Sequence, residues 1–186
     1  MNCFLASTFD ATPSSAQLKT LAANLTEAQS LLGNDIERSG SSPTGRINVG
    51  VSFITGHESI TRFRDTALPV LRNLRPTALW LFAPDEAVKP HGAIIRAVKR
   101  LDPAPRIFVQ VGNVAAAREA VLDGADVLVC QGIDAGGHQF RKGMGVVSFV
   151  PEVRSLLEEE FADREVAVLA AGGIADERGV AAAMML

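Results

Sequence analysis

Two cysteines, Cys3 and Cys130, among 186 residues are too few for a disulfide framework, and a thiol inside an apolar run reads as a small buried side chain in a reducing compartment. No stretch reaches the eighteen or more apolar residues that a bilayer span needs, and Met1 to Ser7 lacks the basic, apolar, small-residue order of a secretory signal. Cationic charge is also scarce. Lys and Arg number 18 against 21 Asp and Glu, for a net charge of -3, so no broad positive field is available to a phosphate backbone. The chain has no H-E-x-x-H, no C-x-x-C, no G-x-S-x-G elbow and no G-x-G-x-x-G. These absences exclude a metal site, a serine-hydrolase elbow and an ordinary dinucleotide fingerprint. They leave a cytoplasmic protein that binds neither nucleic acid nor membrane.

What is present is apolar and periodic. A hydrophobic content of 47% and a mean hydropathy of +0.18 suit one substantial core, read as a single domain over 1–186. Strands are predicted at Ile47 to Phe53, Ala78 to Phe82, Ile107 to Val111, Val127 to Cys130 and Val166 to Ala171, with a weaker one at Phe4 to Ala6. Helical patterns lie near Ser15 to Leu32, Ile60 to Leu74, Gly92 to Leu101, Val114 to Asp123 and Phe149 to Phe161, and another opens near Asp176. Leu18, Leu21, Ala22, Leu25, Ala28 and Leu32 form a stripe that packs a helix on a sheet. Gly33 to Gly45 is polar, rich in turn formers and reads as a surface loop. Strand and helix alternate, which predicts an α/β fold with parallel strands.

Two segments carry chemistry. In Val127 to Gln131 an apolar strand runs into Gly132-Ile-Asp-Ala-Gly-Gly-His138. Gly132, Gly136 and Gly137 let the chain pass close to a ligand, and His138 brings the one side-chain type whose unperturbed pKa lies close to neutral pH. Gln131 stands where a buried strand releases a ligand-facing amide. The second segment, Val166 to Ala171, leads through Gly172-Gly-Ile-Ala-Asp176 into a helix, and free N–H groups at such a junction can seat a phosphate. Gly172 and Gly173 are the expected closest contacts, with Asp176 as helix N-cap. Arg178 reads equally as an offset to Glu177 or as an ordinary surface arginine of the first turn, while Asp134 reads as a loop acid. His57 and His91 sit in turn-like settings without a second histidine at ligand spacing, and both read as structural. Trp80 and Phe82 read as packing. Paired glycines after two late strands favour the C-terminal rim of a TIM (β/α)8-type barrel over a doubly wound sheet.

Gln131-Gly-Ile-Asp-Ala-Gly-Gly-His138 closely resembles the signature of the nitronate monooxygenases, and Ala170-Ala-Gly-Gly-Ile-Ala-Asp-Glu-Arg-Gly179 resembles that family's flavin-phosphate segment, in the same order. Looser resemblance extends back to about Val49. It implies an FMN enzyme that oxidises an alkyl nitronate or nitroalkane with oxygen to a carbonyl compound and nitrite. By that resemblance His138 is the base for the acidic α-proton, Gln131 and Gly136 contact the flavin, and Gly172 and Gly173 hold its phosphate. Glu177 departs from the small residue of the family pattern.

The family also opens with a strand bearing a proline- and methionine-containing flavin loop and closes with a glycine-threonine phosphate loop. Neither is found here, and Gly179 to Leu186 is an apolar helical face with no stop signal. The expectation is an incomplete barrel of about six of eight βα units, truncated at both ends, with open sheet edges available for self-association. Two other readings stand beside the leading one. A flavin-dependent enoyl-acyl-carrier-protein reductase would oxidise a pyridine nucleotide without nitroalkane, and a catalytically inactive barrel fragment would retain no flavin.

Overall fold

The structure is a computed structural model that describes residues 3–5, 8–39 and 47–186. The chain forms two compact units, Met1–Ile107 and Phe108–Leu186. Elements alternate as predicted, in the order β1 (Cys3–Phe4), α1 (Ala16–Ser39), β2 (Ile47–Ile54), α2 (Phe63–Leu74), β3 (Pro76–Phe82), α3 (His91–Val98), β4 (Arg106–Val111), α4 (Val114–Asp123), β5 (Val127–Gln131), α5 (Val146–Glu160), β6 (Ala167–Ala171) and α6 (Glu177–Met184). No described helix is long and apolar enough to cross a membrane.

In the first unit β1 and β3 flank β2 in parallel, with Cys3 opposite Val49 and Val51 opposite Leu79. Val51, Phe53, Leu79 and Leu81 are fully buried, as both-face coverage of a parallel sheet requires. The α1 stripe packs as expected, with Leu18, Leu21 and Leu25 buried. The helix, however, continues to Ser39 through Gly33, where a loop was expected. A single glycine costs a helix interior only about 1 kcal/mol, and no proline follows until Pro43. Residues 40–45 of that expected loop, and Ala6 of the first strand, lie outside the described residues.

Both histidines of this unit hold structure. His57 caps the 3-10 turn Glu58–Arg62, its Nδ1 accepting from the Ser59 N–H at 3.2 Å. His91 is buried, with Nε2 2.8 Å from Thr55 Oγ1. That hydroxyl donates to the Phe82 carbonyl at 3.1 Å, so the proton on the shared bond belongs to the imidazole. Trp80 meets Phe4 edge-on, with ring centroids 5.1 Å apart, in keeping with a packing role.

The second unit opens within β4. Its strands β4, β5 and β6 are parallel neighbours, with Gln110 opposite Val129 and Gln131 opposite Ala171. Asn113 caps α4 by accepting from the Ala116 N–H, and Gly124 closes it at φ 99°. Helix α5 begins one turn earlier than expected, at Val146, because Val146 itself is buried beside Phe149, Val150 and Val153. Arg118 of α4 grips Glu160 of α5 through two hydrogen bonds, of 2.8 and 2.6 Å. The guanidinium holds the Glu160 carboxyl below its ordinary range. That tie is present above the unfolded carboxylate pKa and is lost as pH falls through the lowered folded value.

Phe149 is fully buried in this unit, so Phe149→Ala is expected to lower unfolding free energy by about 3–5 kcal/mol, measured by urea denaturation. Burial also pushes the Cys130 thiol up to about 12. In a Cys3→Ser background the native chain should therefore leave an aromatic disulfide reagent unreacted at pH 8, and urea should release one equivalent of thiol. Prompt reaction of the folded protein would contradict the buried placement.

Candidate functional site

The site is built by strand register. Gln131 ends β5 opposite Ala171, which ends β6, and the Gly132 N–H donates to the Ala171 carbonyl at 2.9 Å. Both glycine-bearing loops thus leave neighbouring parallel strands at the same level. Beside them β4 ends on Val111, opposite Cys130. The long loop after β5 returns across this rim: the Ile133 N–H donates to Met144, and the Met144 N–H donates to Gly112, each at 3.0 Å. Asn113 Nδ2 holds the same return segment through the Lys142 carbonyl at 3.1 Å.

The two loops touch at their bases. Gly172 has φ +98°, and a β-carbon there would lie 2.6 Å from Ala135 Cβ and 2.9 Å from the Ala135 nitrogen. Gly173 has φ +71° and would meet Asp134 Cβ at 3.0 Å. Both positions therefore demand glycine for backbone conformation and for the seam between loops. Gly132 has a different reason from the expected one. A β-carbon on it would fall 2.7 Å from the Val146 nitrogen, so its bareness admits the start of α5. Gly136 lies open, with no neighbour within 4 Å of a β-carbon.

The donors at the β6–α6 junction differ in detail from the sequence expectation. Asp176 does cap α6, and its carboxylate accepts from the Arg178 N–H at 3.0 Å and the Gly179 N–H at 3.2 Å. Two first-turn donors of the helix are therefore already used, while the Glu177 N–H is not. In the turn before the helix the N–H groups of Gly173, Ile174 and Ala175 also reach no acceptor among the described residues. Arg178 pairs with Asp176, at 3.0 Å from Nε to Oδ2, a partner that neither reading of the sequence named. The pairing holds the Asp176 carboxyl below its ordinary range and removes its charge from the junction.

Gln131 is half-buried and accepts through Oε1 from Gln110 Nε2 at 2.7 Å. One amide thus fixes the other, and the Gln131 NH2 donates to no described residue. Sequence reasoning passed over Gln110, although its signal was the same as that of Gln131: a polar residue near the C-terminal end of an apolar strand. His138 lies on the exposed outer part of the β5 loop and bonds to no described residue. The structure therefore joins Gln131, Gly172 and Gly173 through the loop bases, and leaves His138 and Gly136 on the outer turn. Gln139 Nε2 donates to the Ala135 carbonyl and closes that turn.

Gly172→Ala should cost about 1–3 kcal/mol in stability, from left-handed backbone and the clash with Ala135, in a chemical denaturation series. Gly136→Ala, in open space, should stay within about 0.5 kcal/mol of the parent. Equal losses at both positions would contradict the loop seam.

Comparison with known proteins places this arrangement. The family model described as nitronate monooxygenase matches residues 89–186. A nitronate monooxygenase of Neurospora crassa is 45% identical over 98% of this chain and 50% of its own length. The chain spans about half the length of the curated relatives it matches. Among solved structures, FabK from Thermotoga maritima aligns with a TM-score of 0.58 at 22% identity, over 98% of this chain and 54% of that one. A nitroalkane oxidase from Streptomyces ansochromogenes aligns with a TM-score of 0.55 at 19% identity, over 98% of this chain and 61% of that one. At such identities the likeness establishes fold, and it agrees with the α/β class read from the strand and helix order and with the partial TIM-type barrel read from the paired glycines and the family resemblance.

Proposed function

The chain belongs to the nitronate monooxygenase family, and from that membership we propose that it acts, in the cytoplasm, in the oxidation of alkyl nitronates and nitroalkanes by oxygen to a carbonyl compound and nitrite, with FMN as cofactor. The observation that carries the reading is the register of β5 with β6, which sets the Gln131 amide beside a junction with three unspent N–H donors.

The residues present fit the cofactor. Gly172 and Gly173 give the junction its left-handed backbone, and the N–H groups of Gly173, Ile174 and Ala175 would donate to the oxygens of a phosphate. Gln131, held by Gln110, would present its NH2 to the edge of the flavin ring, and the backbone at Gly136 would lie against it. When bound, FMN supplies the electron transfer from the nitronate and the reaction with oxygen.

His138 is the proposed base. Its exposed ring, on a loop held at the base by the Ile133–Met144 bond and at the turn by Gln139, can take the α-proton of a neutral nitroalkane or orient a nitronate anion. A nitronate arrives already deprotonated, so it makes less demand on that base.

Three outcomes follow from a visible spectrum of the FMN-incubated, desalted chain and a nitrite assay. Retained flavin with nitrite release is expected. His138→Asn should then lower turnover of neutral nitroalkane by about 10²-fold or more while largely sparing nitronate. Equal loss on both substrates would overturn the base assignment. A folded protein without retained flavin would overturn the cofactor reading, and pyridine-nucleotide oxidation without nitrite would replace it with the enoyl-reductase reading.

A further inference from the structure

The first unit contains a groove of about 760 Å³ between α2 and α3, lined by none of the residues of the glycine loops. Five cations border it, Arg64, Arg72, Lys89, Arg96 and Arg100, against one carboxylate, Asp102. This concentration stands out in a chain whose net charge is -3. Arg64, Leu68 and Arg72 recur every four residues on α2 and so share one face. Arg96 and Arg100 have the same spacing along α3 and the residues just after it.

Arg64, Arg72, Arg96 and Arg100 make no side-chain hydrogen bond or ion pair with any described residue. Like charges at i, i+4 disfavour each other, as Arg96 and Arg100 do here, and the groove they share with Arg64 and Arg72 holds a single carboxylate. Val88, Ala93, Ala97 and Leu101 give the groove an apolar surface open to water, above the buried Ile60, Phe63, Leu68 and Ile94. One kind of ligand relieves both the unpaired charge and that wetted apolar surface.

We propose that this groove binds a small amphiphilic anion, a carboxylate or phosphate head on a hydrocarbon body. Guanidinium groups suit either head, because both accept paired N–H bonds from one arginine fork. The hydrocarbon body lies on Val88, Ala93, Ala97 and Leu101. The groove has the volume of a small-molecule site, about 300–1,000 Å³. The reaction proposed above needs no such site, and this assignment stands independently of it.

Isothermal titration of the 186-residue chain with dodecanoate and with dodecyl phosphate, each below its micelle concentration, tests the assignment and distinguishes the two heads. Saturable one-to-one binding is expected, weakened at least tenfold in Arg64→Gln/Arg96→Gln and unchanged in Arg154→Gln, an exposed arginine on α5. Dodecanol serves as the neutral probe. It should bind weakly and equally to parent and double variant, which shows that the apolar floor survives the substitutions. Absence of saturable binding, equal weakening in the Arg154 variant, or binding of an acidic amphipathic peptide in place of both amphiphiles would overturn the proposal.

Discussion

The pairing of β5 with β6 is the constraint on which the candidate site depends. Parallel strands have a side-chain period of two, so a one-residue slip would turn Gln131 to the opposite face. It would also separate Gly172 from Ala135. The observed register avoids both: Gln131 opposes Ala171, and the Gly132 N–H reaches the Ala171 carbonyl just beyond the last pair. Burial of Val127, Leu128, Val129 and Cys130 holds that register, because any slip would expose apolar side chains or bury the amide.

The glycines around this rim divide between packing and opening. Gly132 makes room for Val146, Gly112 for Phe140, and Gly172 for Ala135; in each, an added β-carbon would come within 2.7 Å of a neighbour. These close approaches fix the base of the long loop. Gly136, by contrast, faces open space, and His138 two residues later is exposed. The result is a held base carrying an open turn, suited to binding one end of a ligand firmly while a titratable ring meets the other.

Charge at the junction is arranged less simply than a glycine pair beside a helix suggests. Asp176 takes two first-turn donors of α6 and is itself neutralised by Arg178, leaving the Glu177 N–H and the three N–H groups of the turn before the helix. Asp134 packs against Gly173 with its carboxylate exposed, which works against an anion at that edge. The donors must outweigh one solvent-screened charge, and screening at an exposed position makes that balance favourable.

Local pattern was enough to read much of this protein. Among the described residues, alternating apolar runs and helical stripes located the strands and helices to within a few residues, the end of α1 excepted, because burial imposes periods of two and 3.6 that survive without knowledge of partners. The strand-to-glycine junctions, the Asp176 cap and the structural roles of His57 and His91 were legible for the same local reason. The end of α1 was not, since a glycine and turn formers only weaken a helix and do not stop it. Nor were contacts between distant residues. That Gln110 clamps Gln131, that Gly132 serves Val146, and that Arg178 answers Asp176 in place of Glu177 depend on strand register and side-chain reach. The sequence by itself determined which residues could do chemistry and where the strands release them. Only the tertiary structure decided which of them meet, because pairing across strands is set by packing that no single segment contains.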